Sequence, residues 1–203
     1  MRDWWLRTLL VLQRPRPVFV ALRDTGSESV ADRAEPVLAI VLLAGIALVL
    51  QTHTAAHLLE TNDYDGLLIA IWAFLAGSFY GGFGYWVGGA FLYGSVRLFG
   101  SEGDFRRSRH VLAFAAVPIV LSLVLWPVKL ALYGEDWFRS GGRDTGAGAH
   151  VFAALDLACL LWAGVLLVIG VRAVHGWRWG RSLAACTVGL GGPVVLGILL
   201  SYA

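Results

Sequence analysis

Two histidines and a glutamate near the end of the first apolar stretch are the clearest candidates for a functional site. His53, His57 and Glu60 follow one another at spacings of four and three residues, which places them on one face of an α-helix. Imidazole and carboxylate groups in this arrangement bind zinc or another divalent metal ion, or relay a proton. The alternative is that they line the interfacial end of a helix and contact water. The spacing leaves both interpretations open.

Asp156 and Lys129 place two further charges inside later apolar stretches. An unpaired carboxylate is costly in lipid, so Asp156 requires a partner from another helix. Counted at about 1.5 Å per residue along each helix, Lys129, His53 and His57 lie at a depth similar to that of Asp156. Asp156 is therefore a candidate ligand of the metal or proton site, and also the candidate partner of Lys129 in a buried ion pair.

Arginine supplies 15 of the 16 basic residues, and six of these arginines form two clusters between apolar stretches. Trp177 and Trp179 alternate with the second cluster. Such clusters either determine topology alone or bind anionic lipid head groups or a cytoplasmic protein. The candidate binding residues are Arg106, Arg107, Arg109, Arg172, Arg178 and Arg181.

Motifs for catalysis are not found in the sequence. It has no nucleophile elbow, no His-Glu-x-x-His and no phosphate-binding loop. Its two cysteines, Cys159 and Cys186, lie in apolar runs and lack the spacing of metal ligands. The formal net charge of +2 is too small to indicate a nucleic-acid partner. The sequence therefore predicts a protein that is not an enzyme.

The composition predicts a membrane protein. Hydrophobic residues make up 58% of the chain, charged residues 15%, and the mean hydropathy is +0.69. This chain has too little charge to cover the surface of a soluble domain. We therefore expect an all-α, polytopic fold with five transmembrane helices at about residues 36–59, 67–99, 110–133, 150–174 and 182–203.

The second span is unusually long and carries a row of glycines. Its 33 residues would extend about 50 Å as a helix, so we expect one tilted helix; a break at Gly81 and Gly82 is the alternative. Gly77, Gly81, Gly84 and Gly88 fall on one helical face. Small residues in such a row let another helix approach closely. That helix belongs to the same chain or to a second copy in a homo-oligomer.

The residues before the first span, 1–35, predict an amphipathic cytoplasmic helix. A helix here would place Asp3 and Arg7 on one face and Trp5 and Leu9 on the other. This pattern is typical of a helix that lies in the membrane interface with its apolar face down. The alternative is that the helix packs on the cytoplasmic side of the protein itself. Residues 36–203 then form the transmembrane domain.

The distribution of positive charge predicts the orientation. Thirteen Arg lie in the N-terminal segment and in the second and fourth connecting regions, whereas the other connecting regions hold three basic residues. Positive charge is retained on the cytoplasmic side. The N-terminus is therefore expected in the cytoplasm and the C-terminus outside, which requires an odd number of crossings. Five spans satisfy that condition.

Three segments together resemble the Yip1 domain family. They are RPRPVF at Arg14–Phe19, RLFGSEGDFRRSRHVLAFAAVPIVL at Arg97–Leu121 and LWAGVLLVIGVRAVHGWRWGRSLA at Leu161–Ala184. The third, with its VHGW-x-W-x-R turn, is the most specific. The resemblance implies a five-helix membrane protein without a known catalytic activity.

Eukaryotic members of that family act in early secretory traffic with small prenylated GTPases as partners. This sequence differs from them because it has neither their long cytoplasmic N-terminal region nor their DLYGP-type motif. Its length and its Arg, Ala and Gly usage look prokaryotic, so we expect the plasma membrane of a prokaryote. The expected role is an organiser or adaptor that binds lipid or a protein at its Arg-rich face. The alternative is a small transporter, or a metal- or proton-binding protein that uses the outer His, Glu and Asp residues.

The predicted topology is tested by single-cysteine accessibility labelling in intact cells. Cysteines introduced at residues 106–109 and 177–181 should react only after the membrane is permeabilised. Cysteines at residues 140–148 should react from outside. Protection of residues 140–148 in intact cells would contradict the five-span prediction.

Overall fold

The computed structural model describes residues 2–24, 26–52, 55, 66–138 and 146–201. This part of the chain is helical and contains no β-strand. In chain order its helices are α1 (Arg2–Leu10), α2 (Pro15–Ala21), α3 (Ser27–Leu50), α4 (Gly66–Phe83), α5 (Gly89–Leu98), α6 (Phe105–Ala115), α7 (Val117–Leu121), α8 (Trp126–Tyr133), α9 (Ala147–His175) and α10 (Trp179–Ser201).

Shorter helical segments connect some of these helices. A π-helical turn, Gly84–Gly88, joins α4 to α5. A 3₁₀ segment, Ser122–Leu125, joins α7 to α8, and a second one, Gly134–Phe138, follows α8. The second predicted span therefore continues as one helical rod from α4 through the π turn to α5. The alternative of a break at Gly81 and Gly82 is not found.

Four stretches of the described chain are long and apolar enough to cross a membrane. The prediction of an all-helical membrane fold is thereby confirmed for the described residues. The fifth predicted span, 182–203, falls on the 23-residue helix α10, and it stays a prediction because the side chains after residue 191 lie outside the described part. The four stretches are Ser27–Leu50, Gly66–Leu98, Phe105–Tyr133 and Ala147–His175.

The first membrane helix begins at Ser27 and not at residue 36 as predicted. Pro36 is an interior residue of α3, although proline cannot donate the backbone hydrogen bond there. The side chain of Arg33, in this additional part of the helix, is buried. Its Nη1 donates to the Asp24 carbonyl oxygen at 3.0 Å, and its Cζ lies 5.6 Å from the ring centroid of Trp4. The predicted domain boundary at residues 35 and 36 therefore falls inside one helix.

Glycines form the contact between α3 and α4. A Cβ added to Gly77 would lie 2.6 Å from the Cα of Ile46. One added to Gly81 would overlap the carbonyl oxygen of Val41, and one added to Gly45 would overlap the backbone of Gly77. Because lipid supplies no hydrophobic drive for helix association, close backbone approach of this kind is the main source of attraction.

The predicted glycine row does not continue through Gly84. No heavy atom lies within 4 Å of a Cβ built at Gly84, whereas Gly88 meets the side chain of Leu112 at 3.1 Å. The π-helical turn begins at Gly84 and has more residues per turn than an α-helix. Residues after Gly84 are therefore rotated relative to an uninterrupted α-helix, and Gly88 faces α6.

The N-terminal helix α1 packs on the protein through one face only. Trp4 is 4% exposed and Thr8 is also buried, whereas Trp5 and Leu9, the predicted apolar face, are exposed. The two alternatives for this helix are thus compatible, because one face contacts the protein and the other is free for the membrane interface. That it lies at the interface stays a prediction.

Two clusters of buried apolar side chains form the interior. The larger one surrounds Phe19, Phe114 and Leu166, and the smaller one surrounds Trp126 and Trp137. The second membrane stretch contributes little to either cluster, since only 17% of the residues in its apolar 18-residue segment are buried. We therefore expect its large apolar side chains to face lipid hydrocarbon.

Replacing Gly81 with leucine should destabilise the protein. The added side chain has no space beside Val41, so α3 and α4 must move apart, at a cost of about 1–3 kcal/mol or more. Gly82→Leu is the matched control, because no heavy atom lies within 4 Å of a Cβ at Gly82. Thermal unfolding in detergent should show a clearly lower Tm for Gly81→Leu alone. Equal Tm values would contradict the packing argument.

Candidate functional site

Gly170 of α9 is the point where the three segments that carry the family resemblance meet. Phe19 of α2 is fully buried, and a Cβ added at Gly170 would lie 2.8 Å from Phe19 Cε1 and 2.9 Å from Val111 Cγ1. Helix α2 begins at Pro15, where proline suits the first helical turn. The N-terminal segment is therefore docked against α6 and α9.

Arginine side chains connect the same segments through main-chain carbonyl groups. Arg107 Nη2 donates to the carbonyl oxygen of Arg23 at 3.2 Å. The Arg23 guanidinium in turn donates to the carbonyl oxygen of Ala173, and Arg181 donates to that of Phe99. These contacts bring the starts of α3, α6 and α10 and the ends of α5 and α9 together. We call this part the arginine-rich end, formed by Arg23, Arg97, Arg106, Arg107, Arg109, Arg172, Arg178 and Arg181.

Aromatic rings hold three of these guanidinium groups in place. The Cζ of Arg109 lies 3.7 Å from the ring centroid of Trp86 and 4.6 Å from that of Phe105. Arg172 and Arg181 lie 4.5 Å and 4.3 Å from the ring centroids of Trp179 and Trp177. A guanidinium is attracted to the face of a ring and keeps its positive charge there.

The connecting turns at this end are fixed by short-range contacts. Gly176 has a φ of 69°, and its N–H donates to the Arg172 carbonyl oxygen, so it caps α9 in the left-handed conformation. Ser101 Oγ lies 3.0 Å from His175 Nδ1 and joins the loop before α6 to the end of α9. His175 is therefore a structural partner of Ser101.

Positive charge dominates the arginine-rich end. Residues 2–35, 97–109 and 172–181 together carry 13 of the 16 basic residues but 7 of the 14 acidic ones. Arg97, Arg106 and Arg178 are exposed. Among the residues that the structure describes, no carboxylate lies within ion-pair distance of any arginine that forms this end. The end can therefore attract anions.

Lys129 and Asp156 lie together at the opposite end of the bundle. Lys129 Nζ, on α8, lies 2.6 Å from Asp156 Oδ2, on α9. The Lys129 side chain is 1% exposed and that of Asp156 is 16% exposed, so the carboxylate is inside the bundle. The structure thus brings together the two candidate residues of the buried ion pair.

An aromatic box around Lys129 could not be assigned from the sequence. The Nζ lies 5.2 Å, 4.9 Å and 5.6 Å from the ring centroids of Trp126, Trp137 and Phe152. The 3₁₀ segment after α8 places Trp137 beside Lys129, where its ring packs edge-on against that of Trp126. In the sequence, the signal that could have indicated this aromatic box was the spacing of seven and four residues between Trp126, Tyr133 and Trp137. The rings exclude water from the ammonium group and stabilise its charge.

A cavity of about 570 Å³ borders this pair. Gln51, His150 and Asp156 contribute its polar wall, and Trp126 and Leu160 contribute apolar surface. Gln51 Nε2 donates to Ser122 Oγ at 3.2 Å. The cavity lies between α8 and α9 and reaches the Lys129–Asp156 pair.

The metal hypothesis receives no support from the described part of the chain. His53, His57 and Glu60 lie outside the described residues. Within the described ranges no three His, Cys, Asp or Glu side chains are grouped closely enough to hold a metal ion. Asp156, the remaining candidate ligand, contacts Lys129.

The four long apolar stretches and their exposed hydrophobic side chains are those of a multi-pass α-helical membrane protein. Over residues 9–202 the chain matches the model of the Yip1 domain, and it therefore belongs to the Yip1 domain family. This confirms the resemblance carried by the three sequence segments. Comparisons with curated proteins and with solved structures found no match. The family is a membrane family that is not known for a catalytic activity.

Removing the carboxylate of Asp156 should destabilise the protein. Asp156→Ala leaves Lys129 buried and unpaired, and breaking one side of a buried pair costs about 3–5 kcal/mol. Asp156→Asn keeps a hydrogen-bond acceptor and should cost less. Thermal unfolding in detergent measures both, with Asp136→Ala as the control because Asp136 is exposed at the same end.

A double variant separates loss of the pair from loss of packing. Lys129→Met with Asp156→Leu removes both charges, and such replacements of buried pairs are often neutral or stabilising. Its Tm should therefore return towards that of the wild type. A Tm of Asp156→Ala equal to that of Asp136→Ala would show that the pair contributes nothing.

Proposed function

We propose that this chain is a non-enzymatic membrane organiser that gathers anionic lipid at its arginine-rich end. The observation that carries the proposal is that several guanidinium groups there contact carbonyl oxygens and aromatic rings, and that no described carboxylate pairs with any arginine of this end. Their positions are therefore set while their charge is not neutralised. Phosphate groups of lipids are anions of matching chemistry, because guanidinium donates two parallel hydrogen bonds to them.

The proposed orientation places the arginine-rich end in the cytoplasm. Lys and Arg are retained on the cytoplasmic side of membranes, and the cytoplasmic leaflet carries the anionic lipids that attract them. Helix α10 is proposed as the fifth span, since its 23 residues are long enough to cross about 30 Å of hydrocarbon. Residues 1–35 then lie on the cytoplasmic side, and the C-terminus lies outside.

The proposed setting is the plasma membrane of a prokaryote. There the protein acts by contact and not by chemistry: it concentrates anionic head groups beside a rigid helical bundle. Arg97, Arg106 and Arg178 are exposed and can contact these head groups. The more buried residues Arg107 and Arg109 stabilise the arrangement of the helices at this end. A cytoplasmic protein that recognises this lipid-coated surface would be its partner in an adaptor role.

The proposal is tested by the lipid that accompanies the protein. Wild-type protein reconstituted in nanodiscs from equal parts of phosphatidylglycerol and phosphatidylcholine should enrich phosphatidylglycerol. The double variant Arg97→Ala/Arg106→Ala should lose several-fold of this enrichment, since each arginine near an anionic surface contributes about 1 kcal/mol. Quantitative lipid analysis of the isolated discs gives the ratio.

Charge, and not shape, should decide the result. The control Arg97→Lys/Arg106→Lys keeps both positive charges and should enrich phosphatidylglycerol nearly as well as the wild type. Raising the salt concentration should weaken the enrichment, because salt screens exposed charges. A wild-type ratio equal to that of the bulk mixture would refute the proposed function.

A further inference from the structure

An apolar groove of about 420 Å³ runs between α9 and α10. Along α9 its lining residues recur at intervals of four and three, and so do those of α10, so each helix presents one continuous face to it. A Cβ built at Gly164 meets no heavy atom within 4 Å, which makes Gly164 an open part of the floor. The apolar walls are formed by Leu161, Val165, Val168, Leu183, Cys186 and Leu190.

Apart from the indole of Trp179 at its mouth, the described lining of the groove offers hydrocarbon contacts. Thr187 carries the one hydroxyl of this described lining, and Thr187 Oγ1 donates to the carbonyl oxygen of Leu183 at 3.0 Å. A polar molecule in the groove would lose its contacts with water and gain none in return. Its occupant must therefore be apolar along this length.

The mouth of the groove is basic and aromatic. Trp179 lines the groove at the start of α10, and the Arg172 guanidinium lies 4.5 Å from the centroid of its ring. Arg172 continues the helical face of Leu161, Val165 and Val168 by one further turn. Its Nε is buried and has no hydrogen-bond partner among the described residues. A guanidinium stacked on Trp179 therefore lies one helical turn beyond the residues that line α9's side of the groove.

The length of the groove matches one leaflet of a membrane. From Leu161 to Arg172 the chain rises about 16 Å, and half of a hydrocarbon core is about 15 Å. The mouth belongs to the arginine-rich end, and exposed Arg178 adds a second positive charge one residue before Trp179. A lipid chain that starts at the head-group level would fill the groove to the middle of the membrane.

We propose that this groove binds a single anionic phospholipid. One acyl chain lies between α9 and α10, and the phosphate contacts the guanidinium of Arg172. The inference rests on the proposed function, in which the arginine-rich end faces anionic lipid, and it adds a stoichiometric site with defined walls. The charge at the mouth and the apolar length together select a lipid over a soluble phosphate, which has no chain.

The test is native mass spectrometry of the full-length protein in mild detergent with added phosphatidylglycerol. The wild type should retain one phosphatidylglycerol at low lipid concentration, and phosphatidylcholine with the same chains should bind several-fold more weakly. Gly164→Leu should abolish this first binding step because its side chain fills the floor. Arg172→Gln should weaken it about fivefold. Inorganic phosphate and glycerol phosphate should not compete.

Matched variants test whether lipid binding is lost because the groove is filled or because any added large side chain disturbs the protein. Gly94→Leu is the control for Gly164→Leu, since a Cβ at Gly94 also meets no heavy atom within 4 Å. Val165→Trp fills the groove from its wall and should also abolish binding, which protects the test if Gly164→Leu fails to fold. Thermal unfolding of each variant reports on folding independently of lipid.

The outcomes separate this inference from the proposed function. If Gly164→Leu and Val165→Trp retain the lipid, the groove is not its site and the inference fails. If these variants abolish dimers of the protein instead of lipid binding, the occupant is a helix of a second copy and the inference also fails. Both results are independent of the enrichment ratio changed by Arg97 and Arg106, which tests the proposed function alone.

Discussion

The close approach of three segments to Gly170 is the contact on which the arginine-rich end depends. A side chain at this position would collide with Phe19 and Val111, and the N-terminal helix α2 could then not dock on α9. Without that docking, Arg23 would lose its acceptor at Ala173, and Arg107 would lose its acceptor at Arg23. One missing Cβ thus allows a network of hydrogen bonds that joins distant parts of the chain.

The membrane environment explains which groups the arginine side chains contact. At the boundary of a membrane, a guanidinium must keep its N–H groups satisfied without always having water or a carboxylate. Carbonyl oxygens of Arg23, Ala173 and Phe99 satisfy some of them, and the faces of Trp86 and Trp179 stabilise the charge of others. Among the described residues, no carboxylate pairs with the arginines of this end.

The two ends of the bundle handle charge in opposite ways. At the arginine-rich end, many positive groups share polar and aromatic neighbours and stay near the surface. At the other end, one ammonium group is enclosed by aromatic rings and neutralised by Asp156. Removing the carboxylate would leave the Lys129 charge buried and unpaired, which is costly. Burial alone does not decide the partner, since the fully buried Arg33 contacts the Asp24 carbonyl oxygen and the Trp4 ring.

The sequence by itself determined the class of fold, the family and most helix positions, because lipid imposes a length and a composition that can be counted residue by residue. It also restricted the partner of Asp156 to a few residues at one depth. Tertiary structure decided that Lys129 pairs with Asp156, that Trp137 packs beside Lys129 and that Phe19 packs against Gly170. These contacts join residues from different parts of the chain. Helical periodicity could not anticipate the π-helical turn at Gly84–Gly88 or the start of α3 at Ser27, ahead of Pro36. The contacts of Arg33 with Asp24 and Trp4 join residues from different elements, which periodicity within one segment does not contain.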